Sequence, residues 1–284
     1  MTAATPAVAS YRSQIAASTR AWMFVRRHVL DVYALIALGY LFLPIAIVIA
    51  FSFNNPAGRF NYTWQGFTWK NWTNPFGFPG LSGAVKVSIE IAILSSVVAT
   101  ILGTLIALAL VRYRFRGSAT TNLLIFIPMT TPEIVMGASL LTLFLNWKIP
   151  QGFGTILIAH IAFNISYVVV TVRARLVGFD RHLEEAAMDL GANEAVTFYR
   201  VTLPLIMPGI LAASLLAFAL SIDDFVITYF NAGTVTTFPL FVWGAARVSV
   251  PPQINVIGTA IFVIAVGLML ANVLWQNRRA RRYA

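Results

Sequence analysis

The stretch that decides the fold runs from Glu185 to Pro204 and reads EAAMDLGANEAVTFYRVTLP. It carries charges of both signs and lies between two long apolar runs. Ionised side chains are costly inside hydrocarbon, so this stretch is expected to form a structured loop outside the membrane. We call residues 178–204 the polar hairpin. Helical spacing of its apolar residues predicts a short helix over 181–190, and Gly191 is the expected stop because the residue past a helix end often needs a positive φ.

A second short helix is predicted to follow within the polar hairpin. Asn193 is a suitable N-cap, and Glu194 then lies at the positive end of a helix over 194–199. Leu203 and Pro204 are expected to close the hairpin and to start the next apolar run, since proline is tolerated in a first helical turn.

The rest of the chain has the composition of a membrane protein. Of its 284 residues, 58% are hydrophobic and 11% are charged, and the mean hydropathy is +0.78. The charges collect between apolar runs that are long enough to cross a hydrocarbon core of about 30 Å as helices. The pattern predicts an all-α membrane protein with six transmembrane helices, at about 32–53, 84–111, 121–147, 155–172, 205–230 and 254–275. It also predicts a tail over 1–30, a six-span domain over 31–277 and a basic tail over 278–284.

The second predicted span carries a small-residue ridge. Small side chains that recur every four residues let helices approach closely in lipid. Near the outer end of the same span, Glu90 is expected to form a structural i,i+4 pair with Lys86. The ridge consists of Ser95, Ala99, Gly103 and Ala107.

The distribution of basic residues orients the chain. Fifteen of the twenty Lys and Arg residues lie on the two termini, the polar hairpin with its flanks and the link between the second and third spans. Basic residues favour the cytoplasmic side, so both termini and the polar hairpin are expected there, in a bacterial cytoplasmic membrane. The net charge of +10 therefore indicates orientation and contact with anionic lipid, and not nucleic-acid binding.

Carboxylates at membrane depth are the candidate functional groups. A continuous third span would place Glu133 about 18 Å deep, and a continuous fifth span would place Asp223 and Asp224 near its outer mouth, at about 28 Å along the helix. Because such residues usually face a cavity or a partner, they are expected to line a path for a cation, with Ser221 adding a hydrogen bond. Helix-end polarity, or pairing with a basic residue of a partner subunit, remains an alternative.

The polar hairpin resembles the EAA loop of ABC importer permeases. The resemblance rests on the spacing of seven residues: Glu185, Ala186, Ala187, Gly191, Val201, Leu203 and Pro204. It implies the type I, MetI-like permease fold, in which this loop couples to a separate ATPase. Glu194 is expected either to contact that ATPase or to cap its own helix. The sequence has no GxxxxGK[ST] phosphate loop, so ATP and Mg²⁺ are expected on the partner and no cofactor on this chain.

Further segments resemble the PotC-type permeases of spermidine/putrescine importers. They are Pro132-Glu133-Ile134-Val135, Ser221-Ile222-Asp223-Asp224-Phe225, Thr237-Phe238-Pro239-Leu240 and Pro252-Gln253-Ile254-Asn255, although Glu is more usual at position 253. The resemblance implies a polyamine permease that works with a sister permease, two ATP-binding subunits and an extracytoplasmic polyamine-binding protein. The resemblance thus implies a transport subunit and not an enzyme.

Three other functions are compatible with parts of the sequence. A permease of the same architecture for another solute, such as ferric iron or another organic cation, is the nearest alternative. A secondary transporter would lack the ATPase loop and would show two internally repeated halves. A membrane enzyme would need a nucleophile–base set or a metal constellation, and neither pattern is present; the chain has no cysteine and its three histidines are scattered.

Overall fold

The computed structural model describes residues 6–58, 60–113, 115–248 and 250–280. Parts of the predicted tails and of the charge asymmetry lie outside these residues: 1–5, Arg59, Arg114 and 281–284. The described residues are mostly helical, with a single isolated antiparallel bridge between Asn54 and Phe67. The helices are α1 (Pro6–Ser52), α2 (Lys70–Thr73), α3 (Leu81–Arg112), α4 (Ser118–Thr130), α5 (Glu133–Asn146), α6 (Phe153–Val177), α7 (His182–Asp189), α8 (Glu194–Thr197), α9 (Leu203–Ile222), α10 (Val226–Asn231), α11 (Phe238–Val248) and α12 (Pro252–Ala280).

The membrane-spanning helices agree with the predicted number. Five helical segments in the described part of the chain are long and apolar enough to cross a membrane, and α4 with α5 forms a sixth if this bent pair counts as one span. Helix α1 begins at Pro6, so helix also occupies most of the segment predicted as a tail. The predicted outer loop over 231–253 contains the short apolar helix α11.

The chain divides into two compact units, residues 1–75 with 251–284, and residues 76–250. In the first, α1 packs against α12, where Gly258 lies next to Val48. The loop after α1 is organised by asparagines: the Asn54 amide donates to Asn61 Oδ1 at 2.6 Å, and the Asn71 amide donates to the carbonyl of Asn54 at 2.8 Å. This loop is therefore a folded segment and not a plain connection.

The second unit contains the polar hairpin and the candidate carboxylates Glu133, Asp223 and Asp224. Its core lies between α3, α6 and α9. The predicted small-residue ridge of α3 is buried here, and a Cβ added at Gly103 would lie 2.6 Å from Val168 Cγ1. Small side chains thus let α3 and α6 approach closely. Larger apolar residues fill the remaining core: Leu108, Ile125, Val168, Val169, Val172, Leu176 and Ile206.

The third predicted span is wrong as a continuous helix. Helix α4 ends at Thr130, and α5 starts at Glu133 with the two axes bent by 110°. Pro132 explains the break, because proline disfavours the helical conformation in the residue before it, and Thr131 is extended (φ −76°, ψ 131°). A depth counted by helical rise therefore does not hold beyond Thr130.

The fifth predicted span also breaks, although no proline or glycine lies at the break. Helix α9 ends at Ile222 and α10 begins at Val226. We call residues 223–225 the Asp break. The Asp224 carboxylate accepts hydrogen bonds from the backbone N–H groups of Ile227 (3.3 Å) and Thr228 (2.8 Å). A side chain that satisfies these amide groups offers the backbone an alternative to continuing the helix.

Candidate functional site

The end of the first helix of the polar hairpin and the start of the second are as predicted. Helix α7 is followed by Gly191 with φ +89°, and the Asn193 side chain accepts from the N–H of Val196 at 2.9 Å, as an N-cap does. Leu203 and Pro204 do not close the hairpin, however, because the helix runs from Glu194 to Ile222 through a π-helical turn over Phe198–Thr202. The wider turn precedes Pro204, whose missing N–H and bulky ring interfere with normal α-helical bonding.

The predicted coupling residues lie mainly on the exposed surface of the polar hairpin. Glu185, Ala186, Gly191 and Glu194 are exposed, Ala187 and Leu203 are half-buried, and Pro204 is exposed. Apolar side chains are exposed beside them, with Leu190 at 90% and Tyr199 at 67% of their surface. An exposed group of apolar side chains on a charged hairpin is typical of a surface that contacts another protein.

The polar hairpin is anchored to α3 by a residue that no sequence motif singled out. Glu184 pairs with Arg112 at the end of α3 and also accepts a hydrogen bond from Thr202. Close by, Arg181 Nη2 donates to the carbonyl of Val111 at 2.8 Å. Glu184 and Arg112 are 72 positions apart, so no local pattern pointed to the pair.

A histidine of the polar hairpin has a perturbed pKa. His182 Nδ1 lies 3.1 Å from Glu185 Oε2. This hydrogen bond, together with the nearby charge of Asp180, raises the pKa of His182 above its ordinary value. The two carboxylates thus favour the imidazolium form of His182.

The two aspartates of the Asp break have different environments. Asp223 is exposed, whereas the Asp224 side chain is only 6% exposed and bonds to the start of α10. A continuous fifth span would have carried both on one helix with a separation of about 100°, and the break removes that geometry. Asp223 is therefore the exposed member of the pair, and Asp224 is bonded within the protein.

Asp224 belongs to a buried polar cluster around His160. The His160 Nε2 atom lies 3.2 Å from Asp224 Oδ2 and 2.9 Å from Thr228 Oγ1, and Nδ1 lies 2.7 Å from Ser221 Oγ. Ser221 Oγ also accepts from Ser95 Oγ at 3.0 Å. The Ser221 hydroxyl, predicted to assist a substrate, is therefore buried and engaged with protein partners. No motif in the sequence points to His160, and the available signal is its position inside a predicted span, where ionisable residues usually have a partner.

Glu133 and Asp223 form the exposed part of the candidate path. Glu133 is the first residue of α5, directly after the bend, and its side chain is exposed. It lies near enough to Asp223 for the two charges to interact. The elements that carry them are packed together, because a Cβ added at Gly137 of α5 would lie 2.8 Å from the Phe230 ring of α10. The two breaks thus bring two carboxylates, 90 positions apart in sequence, into one region.

Comparison with known proteins identifies the type of chain. The family described as binding-protein-dependent transport system inner membrane component matches residues 99–283. The spermidine/putrescine transport system permease protein PotC of Escherichia coli K12 is 41% identical over 237 residues, which are 83% of this chain and 89% of that protein. PotC of Haemophilus influenzae is 37% identical over 245 residues (86% and 95%), and the putrescine transport system permease protein PotI of E. coli K12 is 38% identical over 246 residues (84% and 86%).

Solved structures show the same fold at lower sequence identity. A chain of a bacterial ABC transporter involved in import of the acidic polysaccharide alginate has a TM-score of 0.62 at 18% identity, covering 92% of this chain and 97% of that one. A chain of the MetNI methionine ABC transporter has a TM-score of 0.54 at 14% identity, covering 72% and 96%. This all-α membrane chain has the MetI-like permease fold and belongs to the family of binding-protein-dependent transport system inner membrane components.

Proposed function

We propose that this chain is the permease subunit of an ATP-driven importer of polyamines, with spermidine and putrescine as substrates. The observation that carries the proposal is the 37–41% identity to PotC and PotI permeases over more than four fifths of the chain. The exposed carboxylates Glu133 and Asp223 add a chemical reason, because protonated amines are stabilised by carboxylates that hold them without a tight cage.

The candidate path uses the residues that the two helix breaks expose. Asp223 meets the amine near the outer mouth, and Glu133 accepts it further along. Asp224 and Ser221 act behind them, because their polar atoms bond to His160 and its neighbours. Several weak sites in sequence favour passage, since a site that binds too tightly would not release its cation.

The polar hairpin is proposed to dock on a separate ATPase. Exposed Leu190 and Tyr199 supply apolar contact area, and the exposed Glu185 and Glu194 supply polar contacts. Glu194 also lies at the positive end of α8, so it stabilises that helix whether or not it contacts the partner. Closure of the ATPase dimer would then move the hairpin, and through the Glu184–Arg112 pair it would move α3.

The complete importer is proposed to contain three further kinds of subunit. They are a sister permease, two ATP-binding subunits that hold ATP and Mg²⁺, and an extracytoplasmic polyamine-binding protein. The distribution of Lys and Arg supports a cytoplasmic position for both termini and for the polar hairpin. The binding protein would then deliver the polyamine to the opposite side, near Asp223.

Uptake of labelled spermidine and putrescine by vesicles that contain the full complex tests this function. Wild type should accumulate both amines only when ATP is supplied inside. Glu133→Gln and Asp223→Asn should each lower the uptake rate about ten-fold, which corresponds to roughly 1.4 kcal/mol of lost stabilisation of the cation. Glu90→Gln is the matched control, because Glu90 is also an exposed carboxylate on a span but pairs with Lys86 at 3.8 Å.

Two results would contradict the proposal. If the complex assembles and hydrolyses ATP but moves neither amine, the substrate is another solute, such as ferric iron or a different organic cation. If amines are moved and both variants match the Glu90→Gln control, the two carboxylates do not line the path. Co-purification of the ATPase subunit with each variant shows that assembly is intact.

A further inference from the structure

We propose that His160 is a positioning residue that fixes the Asp break to α6 and thereby sets the position of the exposed Asp223 carboxylate. The role assigned to Asp223 rests on the function proposed above. His160 itself is 3% exposed and is placed behind the path, so it acts through its neighbours and not by contact with the substrate.

The bonds of His160 enclose the Asp break on both sides. Ser221, two residues before Asp223, lies at His160 Nδ1, and Asp224, the residue after it, lies at Nε2. One rigid imidazole ring thus holds the chain before and after Asp223. Helical bonding holds Asp223 only weakly, since its own N–H reaches the carbonyl of Ala219 at 3.4 Å, at the long end of hydrogen-bond distances.

The hydrogens of the cluster can be assigned without leaving a donor unused. Thr228 Oγ1 donates to Asp224 Oδ2 at 2.7 Å, so the Thr228 oxygen is free to accept from His160 Nε2–H. Ser221 Oγ donates to Nδ1 and accepts from Ser95 Oγ. The Nε2 proton is then shared between Thr228 Oγ1 and Asp224 Oδ2, which lie 2.9 and 3.2 Å from Nε2. Because every member is bonded, the cluster is rigid and specifies one geometry.

The surroundings of the cluster make its bonds hard to replace. Apolar side chains of three elements pack beside it: Ala159 and Phe163 of α6, Ile227 of α10 and Leu220 of α9. The His160 and Asp224 side chains are only 3% and 6% exposed, so removal of the imidazole leaves the Ser221 hydroxyl and the Asp224 carboxylate with fewer partners. Buried polar groups that lose partners are costly, and the chain around them rearranges to recover bonds. Asp223 lies between the two groups and would move with them.

Cysteine labelling at position 223 measures this positioning directly. The chain has no cysteine, so Asp223→Cys introduces its only thiol. The full complex in nanodiscs is treated with a cationic methanethiosulfonate reagent, and the extent of modification of this chain is followed by mass. When His160 is unchanged, we expect the thiol to be modified in a single phase with one rate. With His160→Leu we expect more than one phase and a mean rate changed about five-fold, the ratio that roughly 1 kcal/mol produces.

Two further variants separate positioning from a general disturbance of α6. His160→Gln retains an N–H donor that reaches toward Asp224, so its labelling should remain close to that of wild type. Asn164→Leu changes a fully buried polar side chain one turn along the same helix whose amide atoms have no hydrogen-bond partner among the described residues. We expect no change in labelling there. If His160→Leu leaves the rate and its single phase unchanged, or if Asn164→Leu changes them equally, the proposal is wrong.

Uptake measurements with Asp223 intact complete the test. His160→Leu should raise the apparent KM for the amine with ATP hydrolysis and assembly retained, and His160→Gln should restore it. If His160→Leu fails to assemble, Ser221→Ala decides in its place: it removes the bond to His160 Nδ1, together with that from Ser95, and leaves the contacts of Nε2, so the labelling rate should change, and an unchanged rate would show that the proposal is wrong. The labelling rate needs no substrate, so labelling decides the positioning role of His160 even if the complex proves to move a solute other than a polyamine.

Discussion

Adjacent residues of the polar hairpin have opposite environments. The Glu185 side chain is 63% exposed, whereas the Glu184 side chain is 16% exposed and paired with Arg112. Neighbouring positions on a helix point about 100° apart, so one turns toward α3 and the other away from it. The sequence pattern pointed to Glu185 because that residue carries the family resemblance. The pairing of Glu184 with Arg112 follows only from the packing of α7 beside the end of α3.

The exposed Glu185 has a measurable effect on His182. The pKa of His182 should lie above 6.5, and Glu185→Gln should lower it more than Asp180→Asn, because the hydrogen bond to Glu185 is the main cause of the shift. The sign follows: a raised folded pKa means that this bond stabilises α7 fully below about pH 6.5 and progressively less as pH rises through the raised value. Histidine-selective NMR titration of the full-length chain measures it.

The NMR titration has a clear contrary result. An unchanged His182 pKa in Glu185→Gln would mean that the pair is not formed in solution. Assignment of the His182 signal follows from its loss in His182→Gln.

At the scale of elements, glycine decides how closely two helices pack. Gly103 of α3 has no room for a side chain, because an added Cβ would lie 2.6 Å from Val168 Cγ1 and 3.3 Å from the carbonyl oxygen of Ile165. The ridge that includes Gly103 was visible in the sequence as a four-residue repeat. The repeat does not indicate which helix packs against the ridge, so α6 could not be predicted as the partner.

Gly103→Ala should therefore destabilise the protein by about 1–3 kcal/mol, the usual cost of overpacking a core. Gly83→Ala is the matched control on the same helix: nothing lies within 4 Å of its added Cβ, and alanine favours helix over glycine by roughly 1 kcal/mol. We expect a lower melting temperature for the first variant and an equal or higher one for the second. Equal melting temperatures for both would contradict the close packing of α3 on α6.

The breaks in the spans show the limit of periodicity at this scale. Pro132 was visible, and its effect on Thr131 follows from local sterics. The Asp break has no comparable signal, because its residues are held open by bonds from α6 and α10. A prediction from hydrophobicity alone therefore extends one helix across the break after Thr130 and another across the Asp break. A run of apolar residues predicts a span, but it does not predict where the backbone leaves the helix inside it.

At the scale of the whole molecule, the Glu184–Arg112 pair links the proposed coupling surface to the core. Glu184→Arg or Arg112→Glu alone should lower stability by about 1–3 kcal/mol, since the bond is lost and two like charges then face each other at a partly buried site. The double exchange should regain most of this loss. Thermal unfolding of the full complex, and amine uptake per ATP hydrolysed, measure the two consequences.

The Lys86–Glu90 pair is the control for charge exchange. Its side chains are 75% and 46% exposed, so exchanging its charges should change stability by less than about 1 kcal/mol. If both pairs respond alike, or if the double exchange at Glu184 and Arg112 gives no recovery, the link between polar hairpin and α3 is not as described. Unchanged uptake per ATP in the single variants would show that coupling takes another route.

The amino-acid sequence is enough to predict the class of protein, the number of apolar segments, the stop of α7 at Gly191 and the start of α8 after Asn193. Those features follow from composition and from local chemistry, such as the positive φ of Gly191 and the N-cap at Asn193. Which carboxylates are exposed depends on tertiary packing, which leaves Asp223 exposed and buries the side chains of Ser221 and Asp224 around His160. The physical reason is separation along the chain: the partners of His160 lie more than sixty residues away, and only the packing of α6 against α9 and α10 brings them together.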